Sequence, residues 1–370
     1  MLAADPSGRS TLADERESQQ QPSDRLELAQ RARRIATLRE ELGVVQRRPR
    51  GLSDPALRNA IETLQGIVDH PHIPEDALAE FFLVAPVRGQ SFASGIKLRD
   101  DIASSIKSVD PGFAQRLVGN ANDFTRWRRR HIFNKRREAG DRSPMLLAEG
   151  DSWFHFPIFL RDIVLQLSAD HLIWPLGAAG ETLDHMVYGR DRKHAPAYTR
   201  ALDEWGSSVR ALLFSGGGND LIGEKPHGGS ALTEFVRPHE PGRSAAWHLD
   251  TPEFARRLVF YEAAYRHMIA EAVARAPNLP ILIHAYDYVY PCPLHRNDRR
   301  RPHWIARDRF FGGVFPLLGL TDVKLQVDIL RHVIDAMNAI QRKLAGGNVA
   351  GGSFAQVFHV DLRGTLDFDD

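Results

Sequence analysis

The stretch Leu146-Leu147-Ala148-Glu149-Gly150-Asp151-Ser152-Trp153 decides how the chain is read. An apolar run, Met145 to Ala148, stops at a Gly-Asp-Ser turn, and an amphipathic segment, Phe156 to Leu167, follows. The pattern predicts strand, tight turn and helix, with a serine at the tip. A serine so placed lies at the carboxyl edge of a sheet, where open α/β folds bind ligands. It also lies near a helix N-terminus, whose N–H groups and dipole favour negative charge. Taken alone, an Asp-Ser pair before a helix is often just an N-cap, so the rest of the chain decides.

Strand-like runs alternate with helical ones through the C-terminal part, from about residue 144. The first strand, near 145–149, is followed by a helix to about 168. His171 to Leu176 is a second short strand, ending in the small-residue turn Gly177-Ala178-Ala179-Gly180-Glu181-Thr182. Helical segments follow, one of them at 195–206. Ala211 to Phe214 is a third strand and runs into Ser215-Gly216-Gly217-Gly218-Asn219-Asp220. Phe254, Leu258, Tyr261, Tyr265, Met268 and Ala272 repeat at helical spacing. Ile281 to His284 is a fourth strand, and a long loop at about 287–320 carries Cys292, His295 and His303. Val323, Val327, Leu330, Ile334, Met337 and Leu344 share one helix face, with Thr321 as the expected N-cap and Gly346-Gly347 as the stop. Phe354 to Val360 is a fifth strand, ending at Asp361. Such alternation implies a mainly parallel sheet with helices on both faces. The expected fold is a flavodoxin-like three-layer α/β sandwich, strand order 2-1-3-4-5, preceded by a mostly helical N-terminal region.

In that order the ends of the first three strands converge, and they carry Ser152, Gly180 and Asn219. Acyl transfer at a serine needs a nucleophile, a base and donors for the oxyanion. Ser152 offers the hydroxyl. Its own N–H, the N–H of Gly180 and the side-chain amide of Asn219 are candidate oxyanion donors, and glycine at 180 allows close backbone approach. A phosphate-cradling reading of Ser215 to Asp220 fails in detail. A P-loop needs Gly-Lys-Ser/Thr, whereas Gly223 is followed by Glu224-Lys225-Pro226. Asp220 is expected to brace the loop rather than titrate in catalysis.

Gly150-Asp151-Ser152, Gly180 within Ala179-Gly180-Glu181-Thr182, and Gly218-Asn219-Asp220 resemble, in order, the first three blocks of the SGNH (GDSL-type) hydrolases. The resemblance covers about residues 144–370. It implies a three-layer α/β esterase- or lipase-like enzyme with Ser, Gly and Asn in the roles just described, no cofactor or metal, and a small-molecule or lipid-like ester as substrate. The family's fourth element, an Asp-x-x-His after the last strand, is missing: no such pattern follows Asn219, and Asp69-x-x-His72 precedes the nucleophile. The final covering helix is missing too, so the domain reads as truncated at its C-terminus. His284, His295, His303 and His359 are the substitutes to weigh, each with a structural or solvent-exposed role as the simpler reading. Trp153, Phe154, His155 and Phe156 form either an aromatic wall beside the nucleophile or core packing.

Composition narrows the alternatives. The 370 residues accommodate one large domain and a smaller one. Hydrophobic content of 43% and charged content of 26% are those of a soluble globular chain. A formal net charge of +1 gives no global field, so neither nucleic acid nor a membrane is the expected partner. The single cysteine excludes an internal disulfide framework and a multi-cysteine metal site. It fits a reducing, cytoplasmic setting. The polar N-terminus reads as no secretory signal, and no uncharged apolar run approaches the roughly 18 residues of a membrane span.

Residues 1–24 read as a disordered tail, and 25–143 as a helical region of unknown role that could bind a protein partner. Within it, 25–42, 54–68, 75–84 and 97–137 read as helical and Gly89 to Gly95 as a turn. The runs Arg126-Trp127-Arg128-Arg129-Arg130-His131, Lys135-Arg136-Arg137 and Arg47-Arg48-Pro49-Arg50 stand out. They suit a solvated helix face or linker, or else a phosphate-binding patch. Two functions remain open: a serine-dependent ester hydrolase, or a catalytically silent binding or signalling module that keeps the fold without the base.

Overall fold

The computed structural model describes residues 62–64, 66–68, 75–86, 94–99, 119–156, 162–189, 193–223, 230–291 and 314–365. The tail at 1–24, the helix at 25–42, the Arg47–Arg50 cluster, Asp69, His72, Cys292, His295 and His303 lie outside them. The chain divides into two compact units, Met1–Leu83 with Leu98–Gln115, and Val84–Lys97 with Arg116–Asp370.

In the first unit Leu64, Val68, Leu78 and Phe81 are fully buried, and the Arg99 guanidinium donates to the Ala79 carbonyl at 3.1 Å. Among the described residues of the N-terminal region, the segment expected as a helix at 75–84 is a 3-10 turn, Glu75–Glu80, followed by a strand. The region's described residues include strands at Phe82–Pro86 and Ser94–Leu98. In the second unit Gly95 pairs with Asn120 and Ile96 with Gly119, antiparallel. The cause is local: Phe82-Leu83-Val84-Ala85 is a short apolar run, and periodicity alone does not separate strand from helix at that length.

The second unit is built on a five-stranded sheet: β1 (Met145–Gly150), β2 (Leu172–Pro175), β3 (Val209–Ser215), β4 (Ile281–His284) and β5 (Val357–Val360). Its order is β2-β1-β3-β4-β5, and every pairing is parallel. This is the flavodoxin-like order, with the switch point at β1 and β3. All six residues of β1 are buried, which is why it reads as a nearly continuous apolar run rather than an alternating one. Met145 and Leu147 join one core cluster, Leu146 and Ala148 another, as the two-residue period of a strand requires.

The larger cluster lies under α4 (Ala197–Trp205), α6 (Pro252–Arg275) and α7 (Val323–Leu344). Tyr261, Tyr265, Met268 and Ala272 of α6 are buried, as the spacing predicts. In α7 the buried face is Ile329, Leu330, Val333, Ile334, Met337 and Leu344, whereas Val323 is exposed. Its N-cap is Asp322, one residue after the expected Thr321, and its carboxylate accepts from the Lys324 N–H at 2.9 Å. The smaller cluster lies under α2 (Ile163–Leu167).

A long helix, α1 (Ala121–Glu138), precedes the sheet. It belongs to the same compact unit as the sheet. Arg137 is exposed, but Arg126, Arg128, Arg129, Arg130 and Arg136 are buried or half-buried. Arg126 donates to the Gly177 carbonyl at 3.1 Å and Arg130 to the Pro175 carbonyl at 3.1 Å. Arg136 donates to the Ser168 carbonyl at 2.6 Å. Arg129 donates to the Phe154 carbonyl at 3.1 Å and to the Asp162 carboxylate at 2.6 Å. Arg130 and Arg137 lie over the rings of Trp174 and Trp205, and Phe133 packs edge-on to both indoles. A guanidinium with several fixed donors suits the carbonyls that end a strand and start a turn.

Arg129 and Asp162 are both buried, with side chains 7% and 2% exposed. Asp162 also caps α2 through the Leu165 N–H. Removing one partner of such a pair leaves an uncompensated charge, a cost of about 3–5 kcal/mol. Arg129→Ala is expected to lower the unfolding free energy measured by urea melts by that amount; a change under about 1 kcal/mol would show that α1 does not hold the sheet.

Candidate active site

The ends of β1, β2 and β3 are joined by hydrogen bonds. The Asp151 N–H donates to the Ser215 carbonyl at 3.2 Å, and the Ala178 N–H to the Gly150 carbonyl at 3.0 Å. A Cβ at Gly177 would sit 2.4 Å from the Gly150 carbonyl oxygen, so this approach excludes a side chain. The blocks after β2 and β3 are tied directly: Asn219 Nδ2 donates to the Glu181 carbonyl at 2.7 Å, and the Leu183 N–H to Asp220 Oδ2 at 2.8 Å. The three sequence blocks therefore form one hydrogen-bonded edge. Asp220 braces it at the start of α3 (Leu183–Tyr188), as expected.

Ser152 is half-buried in a turn made by its neighbours. The Asp151 carbonyl accepts from the N–H groups of Phe154 and His155, at 3.1 and 2.9 Å. Asp151 Oδ1 accepts from the Trp153 N–H at 3.1 Å. Among the described residues no helix begins directly behind Ser152: residues 151–156 form a turn. Among the described residues α2 begins only at Ile163, with Asp162 as its cap, so the N-cap reading of Asp151-Ser152 fails as well. The Ser152 N–H and the Gly180 N–H have no hydrogen-bond partner among the described residues. Gly180 has φ +80°, a left-handed conformation that glycine adopts without strain. Phe154 is core packing at 3% exposure, and Trp153 packs against Tyr286 with ring centroids 5.7 Å apart.

Tyr286, in the loop after β4, was not foreseen. Its hydroxyl donates to Asp151 Oδ2 at 2.5 Å and accepts from the Gly218 N–H at 2.9 Å. One phenol thus links the serine turn to the start of α5 (Gly218–Ile222), which carries Asn219. Tyr265 bonds the Gly216 peptide in the same manner, its hydroxyl 3.1 Å from the nitrogen and 3.0 Å from the oxygen. Nothing in the sequence marks Tyr286, and Tyr265 is marked only by its helical spacing, which reads as core. Asp287 is a further tie: its carboxylate accepts from the N–H groups of Gly364 and Thr365, at 2.6 and 2.8 Å, and holds the segment after β5.

Burial sets the local electrostatics. It pushes the Asp151 carboxyl up to about 7 against the pull of its Tyr286 bond, and Asp220 up to about 6. It pushes Glu149 well above the usual carboxylate range, with Glu181 adding to the rise. Burial also lowers the described histidines that sequence reading singled out. His284 falls to about 4; its Nδ1 lies 2.6 Å from the Ala285 carbonyl and its ring beside Phe154. His359 packs against the sheet, Nε2 3.0 Å from Asn338 Oδ1. His155 is held well below 6.5, first by burial and then by Arg129 and Arg126, and its Nε2 lies 3.2 Å from the Asn122 carbonyl. None of the three bonds Ser152. Among the described residues no His/Cys/Asp/Glu group could hold a metal ion, and no helix is long and apolar enough to cross a membrane.

No protein-family model and no curated protein matches the chain. Solved structures similar to it include an extracellular lipase from Streptomyces rimosus, at 11% identity and TM-score 0.35, covering 60% of this chain and 81% of that one. Another is phospholipase A1 from Streptomyces albidoflavus NA297, at 12% identity and TM-score 0.31, covering 54% and 75%. A third is the inhibitor-bound aryl esterase of M. smegmatis, at 12% identity and TM-score 0.28, covering 61% and 86%. The five-stranded parallel sheet, with helices on its faces, gives this unit a flavodoxin-like α/β fold.

Asp151 provides a pH test. Its pKa is higher in the folded chain than the ordinary 3.8, so the folded state binds more protons between these values. The stabilisation is complete below the unfolded pKa and is lost as pH rises through about 7. The full loss is on the order of 4 kcal/mol. Urea melts at about pH 5 and pH 8 should show stability falling with pH, and Asp151→Asn should flatten that fall. An unchanged slope in the variant would contradict the assignment.

Proposed function

We propose that this chain is a serine-dependent hydrolase of carboxylic esters, with Ser152 as nucleophile and the Ser152 N–H, Gly180 N–H and Asn219 side chain as oxyanion donors. The observation that carries the reading is the hydrogen-bonded edge that joins the ends of β1, β2 and β3 and brings the serine turn, the Gly180 turn and Asn219 together. Ser152 and Gly180 are both half-buried, so each N–H can meet solvent or a ligand, and donors aimed at one point are what a tetrahedral oxyanion requires. Asn219 suits the third position. Its amide carries two hydrogens, and the Glu181 carbonyl holds the group while using one.

In this reaction Ser152 Oγ attacks the carbonyl carbon and its proton passes to a base. The carbonyl electron pair moves onto the oxygen, which the three donors receive. Collapse expels the alcohol, which takes up the proton, and water then cleaves the acyl-serine by the same sequence. The step that separates this from a silent binding module is proton removal, since a serine hydroxyl without a base is a poor nucleophile.

A fluorophosphonate probe is expected to label Ser152, as mapped by peptide mass. Ser152→Ala should abolish both labelling and turnover of a simple aryl ester. Asn219→Ala should slow both by about 100- to 1000-fold, the usual cost of one oxyanion donor. Turnover that persists in Ser152→Ala, or a probe that reacts elsewhere, would refute the hydrolase reading. An unlabelled Ser152 would favour the binding module.

A further inference from the structure

We propose that Asn122, on the first turn of α1, is a positioning residue for the oxyanion site: it sets the orientation of the peptide that presents the Gly180 N–H. The inference rests on the hydrolase reading above. Asn122 Nδ2 donates to the Ala179 carbonyl at 3.0 Å, and the Ala179 N–H donates to Asn122 Oδ1 at 3.0 Å. Because Ala179 offers one donor and one acceptor, only one orientation of the Asn122 amide satisfies both. The side chain is therefore locked on both peptide planes that flank Ala179.

The geometric consequence is direct. The Ala179 C=O and the Gly180 N–H belong to the same peptide group, which is planar and trans, so they point in opposite directions. Holding the carbonyl on Asn122 turns the Gly180 N–H away from α1. The backbone does not choose this orientation by itself, since glycine visits both signs of φ with little cost. The choice comes from outside the turn, from a side chain 57 residues earlier in the sequence.

Asn122 is itself held firmly. It is 7% exposed, and Arg126, one turn on, donates to the Gly177 carbonyl at the other end of the same turn. Its backbone carbonyl lies 3.2 Å from His155 Nε2, three residues beyond the serine. One residue of α1 thus touches both the serine turn and the glycine turn. A purely structural clamp would need only the arginines; the reciprocal amide pair adds control over a single peptide plane.

The test compares Asn122→Ala and Asn122→Asp with the wild-type chain. Asn122→Ala should lower kcat by about 10- to 100-fold with KM within about twofold, part of the cost of losing a donor outright. In Asn122→Asp a carboxylate still accepts from the Ala179 N–H but repels the Ala179 carbonyl, whereas a protonated carboxyl donates to it as the amide does. Measured relative to wild type at each pH, Asn122→Asp should therefore recover activity as pH falls, while Asn122→Ala should not. Around this side chain His155 interacts with Arg126, Arg129 and Arg130, and Glu149 with Glu181 and the same Arg126 and Arg130; all of these groups remain in the variants. Wild-type kcat in Asn122→Ala, or parallel pH profiles for the two variants, would overturn the proposal. If the wild-type chain shows no Ser152-dependent turnover, it is the hydrolase reading that fails. The crystal structure of Asn122→Ala then decides the role of Asn122. A rotated or mixed 179–180 peptide supports the proposal, and one unchanged orientation overturns it.

Discussion

The hydrogen bond from the Ala178 N–H to the Gly150 carbonyl, with its counterpart from Asp151 to Ser215, is the constraint on which the rest depends. These bonds extend the parallel ladders beyond the strands proper. They bring the ends of β1, β2 and β3 together before any side chain acts. Glycine stands at 150 and 177 because the backbones approach too closely for a Cβ. Side chains then fill in around the edge: Asn219 and Asp220 fasten the block after β3 to that after β2, and Tyr286 fastens it to the serine turn. Among the described residues the Ser152 and Gly180 N–H groups have no partner and lie on this edge.

The second structural theme is the use of arginine. A run such as Arg126 to Arg130 ordinarily suggests a solvated or phosphate-binding face. Here each guanidinium whose partner is known meets a carbonyl, a carboxylate or an indole of the sheet unit. Strand ends and tight turns expose carbonyls that no ladder satisfies, and a helix bearing several forked donors answers that need. The helix thereby becomes part of the architecture behind the candidate site. This is the physical basis for assigning a function to Asn122.

Much of the fold was legible in the sequence because a buried parallel sheet writes itself as short apolar runs between turns. The strands β1 to β5, their order, and Ser152, Gly180 and Asn219 at strand ends were all readable from pattern and motif. The pattern could not show the partners that hold them. Tyr286 lies 135 residues from Asp151, and Asn122 lies 57 from Ala179. Such pairings carry no local signature. The helix behind Ser152 was misjudged for a related reason: the amphipathic period from Phe156 to Leu167 marks which side chains face the core, not where the helix starts, and the cap falls at Asp162.

The most direct measurement is a crystal structure of the chain after reaction with a phosphonate ester mimic. The account predicts a tetrahedral adduct on Ser152 Oγ, with one phosphonyl oxygen within about 3 Å of the Ser152 N–H, the Gly180 N–H and the Asn219 amide. An adduct whose oxygen faces away from these three donors, or one formed at a different residue, would contradict it.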